Sequence, residues 1–370
     1  MTERECLALA KDTAYLTACA VNSAAPEEAR LAAMDTERVR AFAARHLLSA
    51  AVAAALHAAG RRDASTERTL AEAMRRAAIF DRAFRAIRAA LDEAGIWYTP
   101  LKGVVLQDLY PARGMRQMAD HDVLIDPARA GDVRRVMESL GYTTESFGSG
   151  SHDVYHKPPM LNFEMHRELF GTLHDPRLCA YYREVADRLV PGEGRERRFT
   201  PEDFYVYMIA HEYKHFSGGG TGLRSLLDVY VYLRHSGGEL DMACIAAETE
   251  KLGLRDFERE NRDLALRLFD GEALSASEEE LLLYFASSGV YGTISHRVEN
   301  RVERLGGGAR GKGRYLLQRL VLPLEEVKAS YPFFYRHRAL LPALALYRLG
   351  KIFRRWSSIR AELRALRHKT

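Results

Sequence analysis

The stretch Asp120-His121-Asp122-Val123-Leu124-Ile125 sets two carboxylates, one residue apart, at the head of an apolar run. Along a β-strand, side chains at i and i+2 share a face. The segment therefore reads as a short buried strand that presents two acids side by side at one end. Anions held that close repel one another, and a hard divalent cation such as Mg2+ relieves the repulsion while binding phosphate oxygens. An Asp-x-Asp pair also occurs in plain turns, so its neighbours decide the reading.

Working outward, Ile96-Trp97-Tyr98-Thr99-Pro100-Leu101 is β-prone and delivers Lys102-Gly103 to a short apolar helix ending near Tyr110-Pro111. A helix start offers free backbone N–H groups to an anion, and glycine allows close approach. Arg113 and Arg116, in the loop before the aspartates, are able to fork onto phosphate oxygens. Downstream, Pro127 to Leu140 reads as a helix with Asp126 as N-cap and Gly141 as stop. Two strands then flank the Pro158-Pro159 turn, His152 to His156 and Leu161 to His166. In the second, Glu164 shares a face with Asn162 and His166. A third carboxylate beside two metal-binding aspartates is what phosphoryl or nucleotidyl transfer requires, where the protein mainly positions groups and neutralises charge.

The flanks differ in character. Residues 1–95 are rich in alanine, leucine and arginine with apolar three- and four-residue spacing, which predicts helices. In Ser65 to Ala94 the expected core stripe is Leu70, Met74, Ile79, Phe84, Ile87 and Leu91, and Gly95 stands at the C-cap. From Pro201 onward helices return, and Gly306-Gly307-Gly308 with Gly311 mark an expected loop. The organisation is a helical N-terminal region (1–95), an α/β catalytic core (96–200) and a helical C-terminal region (201–370). The last ends in a basic tail in which Arg348, Lys351, Arg354, Arg355, Arg360, Arg364, Arg367 and Lys369 face one acid, Glu362. Ile352, Phe353 and Trp356 form its expected apolar side. The tail reads as a solvated helix face, or as a dock for an anionic partner such as tRNA or a phospholipid surface.

Bulk properties exclude several classes. An apolar fraction of 47% and a charged fraction of 28% over 370 residues describe a folded chain, not a disordered or fibrous one. A net charge of +4 is too small to argue for a nucleic-acid partner by itself. Cys6, Cys19, Cys179 and Cys244 are scattered, which fits neither a disulfide framework nor a zinc knuckle. The opening Thr2-Glu3-Arg4-Glu5 lacks the layout of a secretory signal, and no uncharged run has the length of a membrane span. A cytoplasmic location is the expectation.

The run Leu101-Lys102-Gly103, Leu109-Tyr110-Pro111, Arg116, Asp120-x-Asp122 and Gly141-Tyr142 resembles the uncharacterised nucleotidyltransferase family of the DNA polymerase beta superfamily. Glu164-Met165-His166 and the later His215, Leu223-Arg224 and Asp228 match as well. The resemblance implies an α+β fold, a small mixed sheet with flanking helices, and helical regions on either side. It implies that Asp120, Asp122 and Glu164 hold Mg2+ (Mn2+ as an alternative), with Glu164 activating the acceptor. Gly103, with Lys102 and Arg116, would hold the phosphates of an NTP. His166, His215, Arg224 and Asp228 would shape the acceptor or base pocket. Two departures stand out: the loop reads Lys102-Gly103-Val104 where Gly-Ser or Gly-Gly is usual, and the third acid is Glu rather than Asp. The implied reaction moves an NMP from an NTP to a hydroxyl or phosphate of a protein, RNA, small-molecule or peptide acceptor, releasing pyrophosphate.

Two alternatives of other classes stand beside it. The fold can serve as a catalytically degenerate nucleotide- or partner-binding module. Alternatively, His211-Glu212-x-x-His215 fits a zinc peptidase, with two histidines one helical turn apart and a glutamate to activate water. The position for that motif's third histidine is Thr221.

Overall fold

The computed structural model describes residues 1–171, 174–354, 362, 365 and 366, with the side chains at 320, 325, 329, 330 and 349–354 outside that description. Its centre is a five-stranded mixed sheet in the order β1-β2-β5-β4-β3. The strands are β1 (Tyr98–Pro100), β2 (His121–Ile125), β3 (Thr143–Ser146), β4 (His152–Lys157) and β5 (Leu161–His166). β2 runs parallel to β5 and antiparallel to β1, and β4 joins β5 and β3 in antiparallel pairs. A small ribbon, Leu189–Pro191 with Arg197–Phe199, adds a bridge from Glu196 to Tyr98.

Alternation along the strands sorts the side chains into two layers. Val123, Ile125, Tyr155, Phe163 and Met165 face the helices Ala64–Glu93 and Ala130–Ser139 and form one core with Phe84, Ile87, Leu91, Val133 and Met137. His121 joins this layer, stacked on Phe80 with ring centroids 4.3 Å apart. The opposite face carries Asp122, Leu124, Glu164 and His166, and Leu124 packs into the larger helical core. That the residue between the two aspartates turns inward confirms strand geometry on both its flanks.

The long helix departs from the expected stripe. Ala77, Phe80, Phe84, Ile87 and Leu91 are buried, whereas Met74 is 61% exposed, because only the C-terminal half of the helix lies against the sheet. The expected glycine loop is present but shorter, formed by Gly306 and Gly307 at φ 106° and 64°. Gly308 starts the helix Gly308–Leu320, and Gly311 lies inside it, where a Cβ would collide with the Val302 carbonyl. The missing side chain permits close helix packing instead of a turn. Of the basic tail, Arg355, Trp356, Arg360, Arg364, Arg367 and Lys369 lie outside the described residues, as do the side chains of Lys351, Ile352, Phe353 and Arg354.

The helices before and after the sheet meet. Glu3–Val21 packs against Ser49–Ala58, Arg255–Asp270 and Ala276–Ser288, and Leu16, Leu56, Leu227, Leu264 and Phe285 share one core. His46 ties this body together. It is fully buried, and its Nδ1 accepts a hydrogen bond from the Leu223 backbone N–H at 3.2 Å, at the start of the helix Leu223–Ser236. Burial, reinforced by Arg45, pushes His46 down to about 4. The folded pKa lies below the unfolded value, so the unfolded chain takes the proton first. The stabilisation is present above about pH 6.5 and is lost as pH falls toward 4. From pH 7 to pH 5 this group should cost about 2 kcal/mol. Urea titrations of the wild type and His46→Gln at both pH values check this: the stability gap between them should narrow by that amount at pH 5. Among the described residues no helix is long and apolar enough to cross a membrane.

Candidate active site

Register brings the distant acids together. Asp122 pairs with Glu164 across the parallel β2–β5 contact, and His152 pairs with His166 across β4–β5. Asp120 sits one step before β2, so its side chain follows Asp122 on the same face. All line a cleft of about 340 Å³ between that face of the sheet and the helices Pro201–Phe216 and Leu223–Ser236.

The loop before Asp120 is held from three sides. Arg76 donates to the carbonyls of Met118 and Ala119 at 3.2 and 3.0 Å. Arg224 donates to the Gln117 carbonyl at 2.6 Å, and the Gln117 side chain accepts from the Ala50 backbone N–H at 3.0 Å. The position of the first aspartate therefore depends on three separate helices.

The electrostatics show an anionic centre under tension. Burial, with Asp122 and then Asp120, pushes Glu164 up to about 7. Burial and Asp122 likewise hold Asp120 above the usual carboxylate range. For Asp122 burial acts upward, but Lys102 and His166 outweigh it and keep the carboxyl well below that range. Lys102 Nζ lies 3.0 Å from Asp122 Oδ2, and His166 Nε2 lies 2.8 Å from Oδ1. Lys102 adopts φ 28°, a left-handed conformation unusual for a residue with a Cβ.

Of the other expected residues, Arg116 lines the same cleft and Gly103 lies behind it, against Arg116. Arg116 is buried and makes a two-pronged pair with Asp228 at 2.8 and 2.7 Å, and Tyr110 Oη donates to the same carboxylate at 2.7 Å. Its fork is engaged with protein. Gly103 lies against Arg116 and Met118, where a Cβ would come within 2.7 Å of Arg116 Nη1 and 2.5 Å of Met118 Sδ. The helix it opens, Lys102–Leu106, has five residues. Glycine here makes room for the buried ion pair. Arg224, Asp228 and His215 all line the cleft, as expected of a pocket wall.

His152 and Lys214 were not singled out from the sequence. His152 Nε2 is 3.3 Å from Glu164 Oε2. Burial and Lys102 push Lys214, which lines the same cleft, down to about 8. Among the described residues, the one group of three His, Cys, Asp or Glu ligand atoms mutually within 4.8 Å is His152, Glu164 and His166. His211 and His215 face one another with Nε2 atoms 3.2 Å apart, but among the described residues no third ligand of these types joins them at that spacing. Glu212 is buried and accepts from Asn261 Nδ2 at 2.8 Å, so its carboxylate is tied to a neighbouring helix.

A family model described as an uncharacterised nucleotidyltransferase matches residues 29–270. The chain belongs to this family. The matched span takes in the long helix, all five strands and both helices that wall the cleft. The mixed sheet with flanking helices is accordingly a nucleotidyltransferase fold, and membership supports nucleotidyl transfer as the general activity. Comparison with curated proteins and with solved structures gave no match.

Proposed function

We propose that this chain transfers an NMP from an NTP to a hydroxyl or phosphate of an acceptor, releasing pyrophosphate. The observation that carries the reading is the β2–β5 register, which sets Asp122 beside Glu164 with Asp120 on the same face. Three carboxylates in one cleft, with Asp122 raising the proton affinity of Asp120 and Glu164, are a hard-oxygen donor set fit for Mg2+ or Mn2+. When bound by Asp120, Asp122 and Glu164, the cation would neutralise charge on the phosphates and on the departing pyrophosphate.

The chain's own groups would do the rest. Glu164, at about 7, is poised to take the proton of an acceptor hydroxyl as the new O–P bond forms and the bond to pyrophosphate breaks. Lys214, at about 8, remains cationic at neutral pH and yields a proton more readily than an ordinary lysine, which suits it to the leaving pyrophosphate. Lys102 would exchange its contact with Asp122 for the NTP phosphates, while Arg116 and Asp228 keep the loop in place. A groove carrying Arg297, Arg301, Arg304 and Arg319 opens beside Lys214 and His215 and would receive an anionic acceptor, whether RNA, protein or a small molecule.

One observation favours the non-catalytic module: both Asp122 oxygens are taken, by Lys102 and His166. The test is pyrophosphate release by purified protein with each NTP, Mg2+ and a cell extract supplying acceptors. Glu164→Gln should lower the rate about 10²-fold, because it removes both the acceptor's base and one ligand of the cation. NTP binding without release in any extract would establish the module instead.

A further inference from the structure

The tightest cluster of potential ligands in the cleft is not the set of three carboxylates. It is Glu164 with two imidazoles. His152 and His166 stand opposite one another in the antiparallel β4–β5 pair, and their ring centroids are 4.9 Å apart. Glu164, two residues before His166 and on the same face, brings Oε2 to 3.3 Å from His152 Nε2 and 3.7 Å from His166 Nε2. All three donors sit on paired strands, so the backbone ladder fixes their spacing. His152 is 35% exposed and opens to the cleft, whereas His166 is 8% exposed. The His166 Nδ1 atom is buried without a hydrogen-bond partner.

We propose that His152, Glu164 and His166 form a cation site for a first-row transition metal, of the Zn2+ or Co2+ class, in preference to Mg2+. Imidazole nitrogen is a good ligand for those ions, whereas Mg2+ favours an all-oxygen shell. Two histidines and one carboxylate leave coordination positions open for water or phosphate oxygen. Binding at Nε2 would replace the hydrogen bond between His166 and Asp122, with the ring proton carried on Nδ1. The inference deepens the transfer reading, because Glu164 serves both sets of donors. The cleft would then hold two unlike cation positions, one of oxygen ligands at Asp120 and Asp122 and one bearing nitrogen.

The test uses the full chain, stripped with chelator, titrated by calorimetry with Mg2+ or Co2+ alone, and followed by the visible absorption of Co2+. One Co2+ per chain should bind at least about tenfold more tightly than Mg2+, with ligand-field bands of nitrogen coordination. His152→Ala, at a partly exposed position, should weaken Co2+ binding about tenfold or more, with a thermal melt showing that the variant is folded. His215→Ala should leave it nearly unchanged, which separates this site from the His211–His215 pair. Equal affinity for Co2+ and Mg2+ would overturn the inference, as would loss of Co2+ in His215→Ala but not in His152→Ala. Either failure leaves NMP transfer with Mg2+ untouched. Conversely, tight Co2+ binding without pyrophosphate release for any NTP would sink the transfer reading and keep the site.

Discussion

Replacing Asp122 by asparagine should lower NMP transfer about 10³-fold, equivalent to about 4 kcal/mol of transition-state stabilisation, with the fold intact. The change is isosteric, so the side chain keeps its place between Lys102 and His166. What disappears is the charge at the centre of the acidic set. In the metal-free protein Glu164 then loses its largest electrostatic neighbour, and its pKa should fall below about 7, while burial and Asp120 still hold it above the ordinary range. Carboxyl-carbon NMR of the two proteins reads that shift directly. Pyrophosphate release reads the rate, and a thermal melt confirms that the variant is folded. Wild-type activity in a folded Asp122→Asn protein would remove this residue from the chemistry.

The second large effect concerns stability. Asp228→Asn should cost about 3–5 kcal/mol, because it leaves the buried Arg116 guanidinium without a counter-charge. Arg116, Asp228 and Tyr110 are linked by three bonds of 2.7–2.8 Å, which join the loop ahead of β2 to the helix Leu223–Ser236. Tyr110, raised well above its usual value by burial and by Asp228, stays protonated as a donor. Removing all the polar members should be far milder than removing one. The triple change Arg116→Met, Asp228→Leu, Tyr110→Phe is therefore expected to recover most of the lost stability. Urea unfolding of wild type, single and triple variants gives the three numbers. A single variant as stable as wild type would show that the pair is solvated and contributes little.

Much of the sheet was legible because its signals are local. Alternation placed His121 on the opposite face from the two aspartates, and the aromatic core around Phe80 bears that out. The Pro158-Pro159 turn fixed a hairpin, and Gly141 closed the helix before it. His152 was legible too in retrospect. In an antiparallel hairpin the turn sets which residues face each other, and counting outward from it pairs His152 with His166. The parallel contact of β2 with β5 was not legible, since it joins segments about forty residues apart and no local pattern specifies it. The same holds for the packing of Glu3–Val21 against helices beyond residue 250.

At the site, residue type told less than environment. Arg116 and Gly103 read as phosphate binders from their place in the motif, yet the space beside them is occupied by Asp228 and Met118. The Arg116 guanidinium stands at the cleft wall in a two-pronged pair with Asp228, a partner that only the fold reveals because it is distant in sequence. Lys214 carried a faint signal, lying one turn from His211 on a helix that walls the cleft.

The most direct measurement follows the label. The purified chain, Mg2+ and acceptor-containing extract are incubated in parallel with NTP labelled at the α-phosphate and at the γ-phosphate. Nucleotidyl transfer predicts a product labelled only from the α position, with γ-label recovered in pyrophosphate, and no labelled product from Asp122→Asn. Label arriving from the γ position, or a product formed equally well by Asp122→Asn, would contradict it.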